Sequence, residues 1–359
     1  MMKTTMVAAA AATLTWSGAA FADSIDPTSF GATLGVGDSV TLRKTVTVEA
    51  TGPTDALVDI MFVFDTTGSM GGLIDGAKSA AGTILSTLSA TYGDVSSGVG
   101  YYADPGYGIV SDLSTTASST TSAINSLYAC YGSCGGDGPE LGNAGIDTAA
   151  NDATWRPGSN RFIVAFGDAP FKDSTDYAQT NPLSDATVTA DLAAANVKLF
   201  GLDVGYGGFT TSLTELGGTA FPSGTGTDAI ISNILAAIST GFATYSTVTV
   251  DDLGGGLPEI DVSTSCVSAD IGSCVGSDAV GSYDRSVDRT FEFDVTFTRT
   301  AAGDSSFETY ALVDGGIVAR EADRFDDDTS VVPLPATGLL LLGGIGGLGA
   351  LRLRRKKAA

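Results

Sequence analysis

Between residues 56 and 245, short apolar runs alternate with longer segments of helical spacing. The runs Leu57–Phe64, Gly98–Ala103, Arg161–Phe166 and Val197–Val204 have strand length, and near-continuous apolar character is that of strands covered on both faces. The segments Leu73–Tyr92, Ser119–Ala129, Glu140–Ala149, Asp185–Ala195 and Ile230–Thr240 predict helices. This alternation predicts an α/β domain built on a doubly wound, mostly parallel sheet with helices on both faces. The flanks read differently. In Thr41–Glu49, Val46 and Val48 alternate with Thr45 and Thr47, as in a half-exposed strand. After Tyr245 the pattern is strands only: Thr247–Val250, the period-2 run Phe291–Phe297, Phe307–Val313 and Gly316–Arg320. Ala322–Ser330 reads as an acidic linker.

The two ends change the picture from a plain cytosolic domain to an exported one. Residues 1–22 read as a secretory signal peptide: Lys3 is the charged start, Met6–Thr15 the apolar centre, and Ala20-Phe21-Ala22 a small-x-small cleavage site. Residues 331–359 read as a membrane-spanning sorting tail. Val331–Leu351 is almost uncharged and of bilayer length, and the basic cluster from Arg352 to Lys357 suits a cytoplasmic flank. Its opening, Val332-Pro333-Leu334-Pro335-Ala336, resembles the VPLPA variant of PEP-CTERM sorting signals, which belong to Gram-negative bacteria and are handled by exosortases. Leu334-Pro335-Ala336-Thr337-Gly338 also matches the sortase pattern LPxTG; the exosortase reading is favoured because the apolar run begins at once after the motif. Either reading implies export, an exosortase-like or sortase-like processing enzyme, and membrane contact only through the tail.

Charge and cysteine content narrow the function classes. Without Lys3 and the five basic residues of the tail, 12 Lys and Arg stand against 41 Asp and Glu, a balance of −29. Such a surface repels nucleic acid and anionic lipid, and both are excluded as partners. The sequence has no histidine, so histidine-dependent triads and the usual zinc ligand are absent. The cysteines form two local pairs, Cys130/Cys134 and Cys266/Cys274. In an oxidising compartment these predict two short-range disulfides, although three connectivities are formally open.

The candidate chemistry sits at Asp65-Thr66-Thr67-Gly68-Ser69, directly after the apolar run ending at Phe64. One carboxylate and two hydroxyls on a tight loop suit a hard divalent cation. Alone the pattern reads equally well as a helix cap. A second apolar strand, Arg161–Gly167, ends in Asp168, and Gly136-Asp137-Gly138-Pro139-Glu140 precedes another helix-like stretch. Ligand sites of open parallel sheets form outside the carboxyl ends of the strands, where both aspartates stand. Clustered carboxylates repel one another unless a cation neutralises them.

With these pieces, FVFDTTGSM (62–70), GGDGPE (135–140) and WRPGSNRFIVAFGDA (155–169), the chain resembles a von Willebrand factor type A domain over roughly residues 56–245. Within that family it is most similar to the I-like domain of integrin β subunits and their bacterial relatives. The resemblance implies a metal-ion-dependent adhesion site holding Mg²⁺ or Mn²⁺. Thr67, Ser69 and Glu140 would be direct ligands, Asp65 and Asp168 direct or water-mediated ones. One position would stay open for a partner's acidic group. It also implies a domain inserted into a β-sandwich formed by residues 23–55 and 246–321; the alternative is separate neighbours along the chain. The integrin calcium site adjacent to the motif is not expected, because the stretch Met70–Ile74 lacks its acidic residues. For the further integrin calcium site, Asp104, Asp137, Pro139 and Glu140 are candidates, but Gly135 stands where that site has an Asn, and Asp104 and Asp137 also read as turn residues. The Tyr-rich segment 104–134 matches the integrin specificity loop in position. Tyr101, Tyr102, Tyr107, Tyr128 and Tyr131 are candidate contact residues, at most half of them on a binding face. The expected function is adhesion at the cell surface or in the extracellular matrix. The partner would be a protein or polysaccharide offering a carboxylate, and the chain would not be an enzyme. The alternative is a structural envelope or matrix component whose metals only rigidify the fold.

Overall fold

The computed structural model describes residues 23–130, 134, 138–173, 183–205 and 207–328. The stretches read as a signal peptide and a sorting tail therefore lie outside the described residues. Three strands come first, β1 (Ser24–Asp26), β2 (Ser29–Leu34) and β3 (Ser39–Val48). The α/β unit follows with β4 (Ala56–Asp65), α1 (Gly71–Tyr92), β5 (Gly93–Ala103), β6 (Gly106–Ser114), α2 (Ala117–Ser126) and α3 (Gly142–Asp152). It continues with β7 (Asn160–Gly167), α4 (Asp185–Ala194), β8 (Val197–Asp203), α5 (Phe209–Glu215), β9 (Thr219–Pro222) and α6 (Thr227–Ala243). The chain closes with β10 (Thr244–Asp251), β11 (Ile260–Ala269), β12 (Ser273–Val275), β13 (Asp278–Asp284), β14 (Arg289–Arg299), β15 (Ser305–Val313) and β16 (Gly316–Asp327).

The central sheet has the order β6-β5-β4-β7-β8-β9, parallel except for the β5–β6 hairpin. It is doubly wound. Helices α1, α2 and α6 pack on one face through Ile74, Leu85, Ile124 and Ile234. Helices α3, α4 and α5 pack on the other through Ile146, Val188, Leu192 and Leu213. Strand β4, at the middle, is buried at every position, which is why it reads as one apolar run.

The flanking strands form a β-sandwich. One sheet runs β1-β3-β14-β11, the other β12-β13-β10-β15-β16-β2. Strand β3 pairs with β14 from Val48↔Arg289 to Ser39↔Thr298, and β2 lies parallel to β16. The α/β unit is thus inserted into the sandwich. The stretch read as an acidic linker is strand as far as Asp327, with Asp323 and Phe325 buried on the inner face. Its charges hid the period-2 pattern, because Asp323 faces inward to Thr309 and to Lys44, 3.8 Å from its Nζ. The predicted helix at Glu140 begins instead at Gly142, which leaves Glu140 on the preceding loop in an isolated parallel bridge with Phe171. A Cβ on Gly142 would stand 2.0 Å from the Phe171 ring, so only glycine admits that approach.

The sandwich seats against the amino ends of the parallel strands. Asn160 at the start of β7 donates to Leu57 O and Ile317 O at 3.1 and 3.0 Å, and Leu57 packs with Leu312 and Ile317. Arg156 donates its backbone N–H and Nε to the buried Asp59 carboxylate at 2.8 and 2.6 Å, and Nη1 to Asp94 at 2.7 Å. This is the work of the WRPGSNR segment: it is a structural clamp. The carboxyl ends of the strands remain at the opposite end, clear of the sandwich.

Candidate metal centre

Asp65 is the last residue of β4 and is fully buried. Its Oδ1 accepts the Thr67 backbone N–H at 2.8 Å and the Thr67 hydroxyl at 2.7 Å. Its Oδ2 is buried and accepts no hydrogen bond. Burial pushes the Asp65 carboxyl up to about 7; the Thr67 bonds oppose this and the charge of Asp168 adds to it. After the loop come a 3-10 turn, Gly68–Met70, and then α1. Neither start carries a side-chain cap, so the hydroxyls do not serve as helix caps. Thr67 turns back to Asp65, and Ser69 lies near enough to Asp168 to lower its carboxyl.

Asp168 follows β7 and is also buried, with Oδ2 lacking a hydrogen bond. Burial raises its carboxyl, Ser69 lowers it and Asp203 raises it further. Glu140 is buried on the loop before α3, fixed by its N–H to Pro170 O at 2.9 Å and by Lys172 N–H to its own O at 2.8 Å. The fixed centre of this group is Tyr102, wholly buried, whose hydroxyl donates to Phe166 O at 3.2 Å. Its phenol is pushed well up by burial and then by the charges of Asp65, Asp168, Glu140 and Asp203. Gly167 makes room for it; a Cβ there would meet the Tyr102 hydroxyl at 2.5 Å.

Asp65, Thr67, Ser69, Glu140 and Asp168 therefore surround one end of the sheet. Among the described residues no three acidic or cysteine side chains form a metal cage by themselves. The Asp65 and Asp168 carboxylates feel each other's charge, with the Thr67 and Ser69 hydroxyls beside them. Two carboxylate oxygens buried without a donor are the kind of orphan acceptor that a hard cation satisfies. The donor set, all oxygen, fits Mg²⁺ or Mn²⁺.

Of the second-site candidates, Asp104 stands in the β5–β6 turn and pairs with the ammonium of Lys172. Pro139 is half-buried beside Glu140, and Asp137 lies outside the described residues. Asp203, Lys172 and the role of Tyr102 are not marked by any motif in the sequence. Asp203 ends β8 just as Asp65 and Asp168 end their strands, which was the available signal. Both its oxygens are used locally, by Gly205 N–H at 2.8 Å and the Thr210 hydroxyl at 2.5 Å.

Among the five tyrosines, Tyr102 is core, Tyr107 and Tyr128 are exposed, and Tyr131 lies outside the described residues. Tyr101 and Tyr128 line a cavity of about 320 Å³ with Thr66, Pro105, Val110 and Cys130, directly beside the Asp65 loop. Cys130 N–H donates to Thr66 O at 2.8 Å. The disulfides are Cys130–Cys134 and Cys266–Cys274, both within one short loop as the spacing predicts.

Residues 59–189 match the family model described as von Willebrand factor A domain. No curated protein matches the sequence. Among solved structures the chain is similar to the conserved hypothetical protein BatB from Bacteroides thetaiotaomicron. The identity is 13%, over 51% of this chain and 98% of that one, with a TM-score of 0.40. It is also similar to the SpRpn10 VWA domain, at 16% identity over 48% of this chain and 94% of that one, with a TM-score of 0.37. The family match and the inserted doubly wound fold support a von Willebrand factor A domain within the chain.

Proposed function

We propose that this von Willebrand factor A domain is the binding head of an exported adhesion protein. It captures a partner's carboxylate through a divalent cation held by Asp65, Thr67, Ser69, Glu140 and Asp168. The observation that carries this reading is the pair of buried, unsatisfied oxygens, Asp65 Oδ2 and Asp168 Oδ2, beside two hydroxyls that cap no helix. A bound Mg²⁺ or Mn²⁺ would supply Lewis-acid attraction for an acidic group at its open position.

The chain's own residues do the rest. Thr67 holds one oxygen of the Asp65 carboxylate with its backbone N–H and its hydroxyl, and Ser69 stands beside Asp168. Tyr102 packs beneath them as a rigid floor. Attachment of the sandwich at the far end leaves the carboxyl face free for a partner. A protein or a polysaccharide with exposed carboxylates fits this chemistry. Nothing in the arrangement calls for bond-making chemistry: the Thr67 hydroxyl is spent on the Asp65 carboxylate, and no histidine is present to activate either hydroxyl.

The two local disulfides suit an oxidising compartment. With the signal peptide and the sorting tail, they support placement at the surface or in the matrix of a Gram-negative bacterium, after processing by an exosortase-like enzyme. Among the described residues no helix is long and apolar enough to cross a membrane, so anchoring would fall to the tail. The test is calorimetric titration of Mg²⁺ and Mn²⁺ into wild type and Asp65→Ala. The variant should keep its far-UV dichroism and lose the high-affinity site. Unchanged affinity would sink the assignment.

A further inference from the structure

The Lys172 side chain is only 2% exposed, and its ammonium sits on the Asp104 carboxylate. A lysine is almost never buried without a specific partner, so this placement is a built feature. The backbone delivers it there. Lys172 N–H donates to Glu140 O at 2.8 Å, and Phe171 bridges to Glu140 in parallel. Phe171 N–H donates to the Ser212 hydroxyl at 3.0 Å. The Phe171 ring is wedged edge-on between Tyr102 at 5.8 Å and Phe209 at 5.4 Å. The lysine thus grows from a fixed stem beside the Glu140 loop and reaches the turn that carries Asp104.

Asp104 and Glu140 are also the residues a second, calcium-type site would draw on. We infer that Lys172 is an internal cation that stands in for a second metal ion, so that the domain has one exchangeable cation site rather than two. A divalent ion placed on Asp104 would meet a buried positive charge in contact with the same carboxylate, and like charges in a poorly solvated site repel strongly. Gly135, which offers no side-chain ligand, points the same way. The inference rests on the adhesion-site reading for the first cation. It adds that ligand capture needs Mg²⁺ or Mn²⁺ but gains nothing from Ca²⁺ at a neighbouring position.

Titration of the metal-free full chain with Mg²⁺, and then with Ca²⁺ over saturating Mg²⁺, tests it. Wild type should bind one cation in total, and Asp104→Asn should still bind one. Lys172→Met should gain one Ca²⁺ per chain, and Asp104→Asn added to it should abolish that gain. Two cations in wild type falling to one in Asp104→Asn would overturn the inference, as would a folded Lys172→Met that gains none. If Lys172→Met folds only with Ca²⁺ present, the inference stands. If it does not fold at all, the comparison of wild type with Asp104→Asn decides. A wild type that binds no cation overturns the adhesion-site reading instead, and the gain or absence of one Ca²⁺ in Lys172→Met still judges the lysine.

Discussion

Asp65 is the residue on which the proposed chemistry turns. Its carboxyl is held up at about 7 instead of its ordinary 3.8, chiefly by burial. A cation must displace the proton to bind, so metal binding and protonation compete. Below about pH 7 the Mg²⁺ affinity should fall by about tenfold per pH unit for one displaced proton. Titrations at pH 5.5 to 8 would measure that slope. The stability of the metal-free protein has the opposite dependence. A carboxyl whose folded value lies above its unfolded one binds protons more tightly in the folded state. Its contribution is therefore full below the ordinary value and lost as pH rises through about 7. Metal-free melting temperature should rise as the pH falls from 8 to 5, and Asp65→Asn should flatten that rise. A metal-free protein that is most stable at pH 8, with the variant unchanged, would contradict the assignment.

At the scale of elements, a buried ion pair joins β3 to β16. Lys44 on β3 is buried inside the sandwich, paired with Glu321 on β16 and 3.8 Å from Asp323, with its ammonium 5.1 Å from the Phe297 ring centre. Burial holds the Glu321 carboxyl up at about 7 despite the ammonium beside it. Removing one partner of a buried pair strands the other charge and costs about 3–5 kcal/mol. Lys44→Met should lower the unfolding free energy by that amount, read from denaturant titration, and leave Mg²⁺ affinity per folded molecule unchanged. The two readouts separate because the pair lies in the sandwich and the candidate centre at the far end of the inserted unit. A variant as stable as wild type would show that the pair is not holding β3 to β16.

At the scale of the whole molecule, the fold sets the proposed binding end at the carboxyl ends of the parallel strands and the sandwich at their amino ends. The packing clusters of the α/β unit and of the sandwich are built from apolar side chains. A cation on preformed loops stabilises the folded state by mass action alone, about 2.7 kcal/mol at a hundredfold excess over its dissociation constant. EDTA should therefore abolish partner capture while far-UV dichroism at ambient temperature stays nearly constant and the melting temperature drops modestly. Unfolding on chelation would favour a structural role for the metal. Capture that survives chelation with the fold intact would refute the metal-dependent mechanism.

Local physics determined much of this protein from sequence alone. A strand covered on both faces must be apolar throughout, so β4 and β7 were legible, and with them the aspartates at their ends. Cysteines four and eight residues apart can close only short loops without outside help, so their pairing was legible too. The period-2 run from Phe291 to Phe297 announced β14 for the same reason: its inner face is all apolar. The tertiary structure decided what depends on partners distant in the chain. The strands β2, β6, β11 and β13 carry many small and polar residues, and only their neighbours make them strands. Asp323 and Lys44 look like surface residues until the sandwich brings them together across more than two hundred residues of chain. Tyr102 was one of five similar tyrosines until the sheet register set it opposite Asp65. Lys172 carries no motif at all, and nothing in the sequence pairs it with Asp104. A buried charge is tolerable only beside its counter-charge, and that neighbour is chosen by the fold, not by the adjoining sequence.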